Sequence, residues 1–467
     1  MRFTFIRLAK TWQAGYCQEF TTLLRLSLPI IIGQLGTVLL ALTDILMISP
    51  LGKVSLAAVG LANSVFFLIA VVGIGITSVI TPLVSKAKAR GDIVECSHLF
   101  VQGQKVAFLA GLIILFITLI VAYFAPWFGQ EAEVEQIFQS FLIVLGFSAV
   151  PMIWFYSLKN FADGLSQTQV AMHITFATVV VNGLLNYVFI YGLPPVLPAL
   201  QAQGAAISTL LARLFMSVAM YAYIRYYDFF RVFISQISFW EKNSILFQHI
   251  WQMGIPAGLQ FFFEIGSFTG ASILMGWLGS ASLAAHQVAL NLATISYLIA
   301  FSFAIAGSIR VAEGLGLSDK KQMLKAANTA AFTSITFMTF CCLLFLIFTS
   351  PLVRLFTQEP TVVAIAIKLL SIAAFFQISD GTQVVFLGLL RGIGDMKIPT
   401  YITLVAYWLL SLPISYLLAF TYQLQAIGIW IGLWVGLTTA ALLLSIRFYV
   451  LLHYRFNEIP KKELVEA

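Results

Sequence analysis

The feature that most constrains this chain is a succession of apolar runs, each about 20 residues or longer, separated by short polar punctuation. A helix of that length crosses the ~30 Å hydrocarbon core of a bilayer. A soluble core cannot absorb so many of them. Composition agrees: 60% of the 467 residues are apolar, 10% are charged and mean hydropathy is +0.95, whereas a soluble domain carries roughly 25% charged residues. The runs predict an all-α polytopic membrane protein with twelve transmembrane helices near 22–50, 54–84, 102–125, 133–158, 168–192, 202–226, 246–278, 282–312, 324–349, 361–390, 397–421 and 425–452.

Orientation follows from lysine and arginine, because positive loops stay cytoplasmic. With the N-terminus inside, 22 of the 26 basic residues fall on the cytoplasmic side, Lys53 and Arg354 fall outside, and Arg213 and Lys368 lie within spans. An even span count then makes both termini cytoplasmic. The net charge of +7 needs no nucleic acid, since it combines the topology signal with attraction to anionic membrane lipid. The first 20 residues mix Arg2, Arg7 and Lys10 with aromatics and lack a small-residue cleavage site, so they read as a retained amphipathic arm. Cys17, Cys96, Cys341 and Cys342 have no metal-ligand spacing.

The chain also repeats itself. Pro29 and Pro256 open long spans, and at the same offset Leu51-Gly52-Lys53-Val54-Ser55-Leu56-Ala57-Ala58 faces Leu278-Gly279-Ser280-Ala281-Ser282-Leu283-Ala284-Ala285. Asp92 pairs with Asp319, Gly164 with Gly392 and Gly204 with Gly428. Two pseudo-symmetric lobes follow: 1–226 with the N-terminal arm, a cytoplasmic linker over 227–245, and 246–467 with a short tail. Six spans per lobe make these parallel repeats, a transporter plan in which substrate binds between lobes.

Of 19 acidic residues, the span boundaries leave Asp44, Glu264 and Asp380 well inside apolar helices. A charge at the bilayer centre costs about 2.5–3.5 kcal/mol on insertion scales, so such residues face the protein interior and usually mark an ion or proton site; the alternative is a structural hydrogen bond between helices. Two carboxylates supply hard oxygens for Na+, and without the ion one of them would take a proton. Arg213 either pairs with a buried acid or snorkels, and Lys368 snorkels.

The run Asp44-Ile45-Leu46-Met47-Ile48-Ser49-Pro50-Leu51-Gly52 followed by Ser55-Leu56-Ala57-Ala58 resembles the first-to-second-helix signature of the multidrug and toxic compound extrusion (MATE) family. Asn182-Gly183-Leu184-Leu185-Asn186-Tyr187, Gly204-Ala205-Ala206 and Leu389-Leu390-Arg391-Gly392-Ile393-Gly394-Asp395-Met396-Lys397 are similar to further family segments. The resemblance spans residues 20 to 450 in order, and Glu264 with Asp380 resembles the NorM-type branch. It implies a Na+ and proton site at Glu264 and Asp380 in the C-terminal lobe, and a second cation-responsive cluster of Asp44, Asn182, Asn186 and Thr209 in the N-terminal lobe. Asn186 stands where some members carry Asp. Phe376 stands where some carry a tyrosine that helps the cation site.

Gln34, Gln260, Asn291, Gln377 and Gln383, with Phe376 and His286, are candidate cavity-lining side chains. His286 would equally serve as a hydrogen-bonding group between helices. Pro29 and Pro256 are candidate hinges, although prolines also occur in static helices. No phosphate-binding loop, metal spacing or Ser-His-Asp grouping is present, so no cofactor and no enzyme activity are expected, and an ion gradient of Na+, H+ or both would drive transport. The reading is a monomeric antiporter of the bacterial plasma membrane exporting small organic cations or drugs. A lipid-linked precursor flippase would want more cavity arginines and lysines, and a membrane-embedded enzyme would want a nucleophile or metal cluster.

Overall fold

The computed structural model describes residues 2–194, 198–238, 241 and 243–457. Pro195–Leu197, Lys242 and the tail with Lys461 and Lys462 lie outside the described residues, as do the side chains of 2–14 and 455–457. Among the described residues ten helices are long and apolar enough to cross a membrane, and a bent pair adds an eleventh. We number the spans in chain order: α1 (Arg2–Ile48), α2 (Lys53–Arg90), α3 (Ile93–Tyr123), α4 (Ala132–Phe147 and Ala149–Gly164), α5 (Thr168–Tyr191) and α6 (Gln201–Tyr226). The second half contains α7 (Ser244–Trp277), α8 (Ser280–Gly316), α9 (Lys320–Ile347), α10 (Pro360–Ile393), α11 (Lys397–Thr421) and α12 (Gln425–Asn457). Helix α7 has 34 residues, enough to span. The twelve-helix all-α plan expected from the sequence is the one observed.

Several boundaries differ from expectation, and two of them are instructive. Helix α1 is continuous from Arg2, so the N-terminal arm and the first span are one element. Helix α4 continues past 158 to Gly164 and bends by 40° at Ser148. Pro151 has no N–H to offer the carbonyl of Phe147, and Ser148 instead turns its backbone N–H and hydroxyl to the Leu145 carbonyl, at 3.0 and 2.5 Å.

The internal repeat extends to the backbone. Gly52 and Gly279, 227 positions apart, precede α2 and α8 with φ of 103° and 110°, a region closed to side chains with a Cβ. Asp92 and Asp319 then cap α3 and α9 by accepting from backbone N–H groups, Asp92 at 2.8 Å and Asp319 at 2.9 and 3.1 Å. Left-handed positions also correspond: Gly91 with Ser318, Ser166 with Gly394, and Gln201 with Gln425.

The chain forms two compact units, Pro29–Phe262 and Met1–Leu28 with Phe263–Ala467. The unit boundaries fall inside α1 and α7, so the start of α1 belongs with the C-terminal spans and the start of α7 with the N-terminal ones. A Cβ on Gly75 of α2 would lie 2.5 Å from the Gly258 Cα in the N-terminal unit, so only glycine permits this backbone approach. In the C-terminal unit Arg310 donates to both oxygens of the buried Glu19, at 2.7 and 2.9 Å, and also pairs with Glu313. This bidentate pair ties the start of α1 to α8.

Candidate functional site

Each unit holds one acidic cluster, and the two are built differently. In the N-terminal unit Asp44 lies one turn from the end of α1. Asn186 of α5 donates to one of its carboxylate oxygens at 2.6 Å, and the Thr209 hydroxyl of α6, which also has the Ala205 carbonyl at 2.9 Å, lies 3.3 Å from the other. The same Asn186 amide donates to Asn182, one turn earlier, at 3.2 Å. All four residues predicted for this lobe therefore meet. Arg213, one turn beyond Thr209 on α6, supplies a positive field to Asp44. Its guanidinium donates to Ser148 at 2.5 Å and stacks 5.0 Å from the Phe66 ring. The Asp44 carboxylate is thus surrounded by donors and a cation. The bend in α4 is what presents Ser148 to Arg213.

In the C-terminal unit Glu264 of α7 and Asp380 of α10 are both buried and close enough to repel each other. Tyr297 of α8 and Gln383 lie against the Glu264 carboxylate, and the Arg391 guanidinium adds a positive field. Tyr407 of α11 lies in the field of both acids. It sits in a π-helical stretch, Val405–Ser411, a widened turn of a kind often found at functional sites. The Tyr407 hydroxyl and both amide atoms of Gln383 are buried without a hydrogen-bond partner, a costly arrangement in which a cation would satisfy the two oxygens. Glu264, Asp380, Tyr407, Tyr297 and the Gln383 carbonyl are hard oxygen donors suited to Na+. No group of three or more His, Cys, Asp or Glu that could hold a metal exists among the described residues, so neutral oxygens would have to complete the ion's shell.

The other predicted residues separate. Phe376 is buried against Trp430, with ring centroids 5.4 Å apart. His286 receives the Trp430 indole N–H on Nδ1 at 3.1 Å, which places its proton on Nε2, directed at Ser272 Oγ 3.0 Å away. Both ring nitrogens are therefore used, and His286 joins helices rather than lining a cavity. Gln377 accepts from Ser296 at 2.9 Å. Gln260 is buried in α7, Asn291 is exposed, and Gln34 lines a recess beside Pro29. Pro29 coincides with the unit boundary in α1, while Pro256 lies nearly two turns before the boundary in α7. The sequence reading missed Tyr297, Tyr407 and Arg391. It also placed Asp163 beyond the fourth span, whereas Asp163 is fully buried inside α4 and paired with Lys159.

The MatE family model matches residues 29–188 and 256–417, two segments that open at the paired prolines. The chain belongs to the MatE family of membrane transporters. Among curated relatives it is 33% identical to the probable multidrug resistance protein NorM of Rhizobium meliloti (strain 1021), over 93% of this chain and 94% of that protein. It is 30% identical to the multidrug resistance protein NorM of Aliivibrio fischeri, over 92% and 95%. The fold superposes on the crystal structure of the eukaryotic MATE transporter AtDTX14 with a TM-score of 0.86 at 22% identity, covering 95% of this chain and 99% of that one.

Proposed function

We propose that this chain is a secondary antiporter that exports organic cations and other drugs in exchange for Na+ or H+, with both termini in the cytoplasm of a bacterial cell. The names of its relatives support multidrug export. The observation that carries the coupling assignment is the C-terminal cluster, where two mutually repelling buried carboxylates stand beside a tyrosine hydroxyl and a glutamine amide that lack partners. An entering cation relieves the repulsion and satisfies those oxygens. A cationic drug in reach of the same acids loses its attraction as the ion arrives, so ion entry and drug release are linked through different affinities in the two transport states. At 100 mV each entering charge contributes about 2.3 kcal/mol.

The decisive experiment uses proteoliposomes with Na+ and proton gradients imposed separately. Ethidium should move against its own gradient when either ion, or both, runs the opposite way. Transport indifferent to both gradients overturns the proposal. Orientation is tested separately in a cysteine-free background: cysteines at Lys53 and Glu133 should react with an impermeant maleimide added outside, and cysteines at Arg90 and Lys320 should not.

A further inference from the structure

Helices α1 and α7 each pass from one compact unit to the other, and each carries an acid of one cluster beyond the passage. Residues of α1 up to Leu28 belong to the C-terminal unit, while Asp44 on the same helix belongs to the N-terminal unit. Residues of α7 up to Phe262 belong to the N-terminal unit, and Glu264 follows at once in the C-terminal one. The start of each helix is therefore packed in the unit that does not hold its acid.

The two starts are held by different means. That of α7 lies on α2 through close backbone packing: a Cβ on Gly254 would be 2.8 Å from the Ile76 carbonyl oxygen, and one on Gly258 would be 2.5 Å from that of Val72. That of α1 lies on α8 through charge. Arg310 holds both oxygens of Glu19 and also pairs with Glu313, one turn further along α8. Glu19 is only 4% exposed, so parting it from its guanidinium is costly and the pair stays made. One turn before Glu19, a Cβ on Gly15 would lie 3.3 Å from the Lys325 Nζ of α9. The repeat does not reproduce the ion pair: Leu246 and Leu83 stand 227 positions from Glu19 and Arg310.

Because Glu19 and Arg310 lie in the same unit, their pair need not open when one unit moves against the other. It is an anchor for α1. A helix transmits displacement along its length, and the 25 residues from Glu19 to Asp44 cover about 38 Å at 1.5 Å per residue. We propose that Glu19 and Arg310 are positioning residues for export: their pair anchors α1 on the C-terminal unit, so that rearrangement of that unit displaces the segment carrying Asp44. They serve the change of state and not the binding of ion or drug. This assignment rests on the antiporter reading.

The test measures export in proteoliposomes, and binding of Na+ and ethidium on the same purified proteins. Glu19→Gln and Arg310→Gln should each lower ethidium export by about tenfold or more, while both affinities stay within about twofold of the parent. The exchange Glu19→Arg with Arg310→Glu keeps one guanidinium between two carboxylates, and should return export to within about threefold of the parent. In a cysteine-free background, Gly15→Cys and Lys325→Cys joined by a short bis-maleimide should export at the rate of the unjoined protein, since an anchor persists through the cycle; this arm serves where the single variants do not fold. Parent-like export by the single variants, affinities that fall in step with export, failure of the exchange to restore it, or stalling by the cross-link overturns the proposal. A parent that moves no ethidium under either gradient removes the antiporter reading and the anchor with it, whereas a working parent with any of those results removes the anchor alone.

Discussion

The two acidic clusters occupy the two halves of one internal repeat, yet their chemistry has diverged. Asp44 is a single carboxylate provided with donors: Asn186 and Thr209 bond it and Arg213 supplies positive field. A metal ion there would have to displace existing bonds. Glu264 and Asp380 are two carboxylates with an excess of oxygens, and Tyr407 and Gln383 nearby have polar atoms without partners. An ion there adds bonds without breaking as many. Under the proposed function this difference would put ion binding in the C-terminal unit and leave the N-terminal cluster to respond to protons.

The largest effect expected from this division comes from neutralising the C-terminal pair. Asp380→Asn and Glu264→Gln preserve side-chain size but remove the charge that holds a cation, so Na+ binding should weaken by about tenfold or more, roughly 1.4 kcal/mol. Expression should be normal, because a buried carboxylate is costly to insert. Isothermal titration with Na+ checks this directly; parent-like Na+ affinity in both variants would show that these acids are structural.

Asp44→Asn sharpens the comparison from the other side. Export should fall several-fold and lose much of its pH dependence, while Na+ affinity stays within about twofold of the parent. A large loss of Na+ affinity on this substitution would dissolve the distinction between the lobes. Tyr407→Phe is subtler. Removing one hydroxyl should reduce Na+ affinity by about fivefold, near 1 kcal/mol. Thermal stability should hold or rise, because the hydroxyl is buried and unpaired without the ion. If Na+ affinity does not change, Tyr407 is no part of the ion's shell.

Much of this division was legible in the sequence, and the exceptions have physical causes. Asp44, Glu264 and Asp380 stand out because a charge in an apolar run is costly, and Asn182, Asn186 and Thr209 follow from the family resemblance. Tyr297 and Tyr407 did not stand out. A tyrosine is ordinary in a membrane helix, and the π-helical stretch around Tyr407 follows no simple hydrophobic period. Lys159 and Asp163 were placed outside or at the edge of a span because charge ends an apolar run on paper, whereas in the folded chain the two residues, one turn apart, neutralise each other and the helix continues. Nor does any sequence pattern reveal that the ends of α1 and α7 exchange units, since contact across the chain decides it.

The smallest expected effect concerns the repeat itself. Gly91 and Ser318 occupy matching left-handed turns before α3 and α9, with φ of 75° and 55°. A residue with a Cβ pays roughly 1–2 kcal/mol for that conformation and glycine does not, although glycine gives back part of the gain through greater freedom in the unfolded chain. Ser318 is exposed, and its hydroxyl makes no hydrogen bond among the described residues, so Ser318→Gly should stabilise the C-terminal unit by about 0.5 kcal/mol. The matching change in the other half, Gly91→Ser, should destabilise by about 1 kcal/mol. Ser166, the other serine in such a turn, accepts from Lys88 at 2.9 Å, so Ser166→Gly should gain less than Ser318→Gly. Thermal melting of the three variants in detergent tests the order. If Ser318→Gly is the least stable of them, the two turns are not equivalent, and the repeat holds at the level of helices but not of the connections between them.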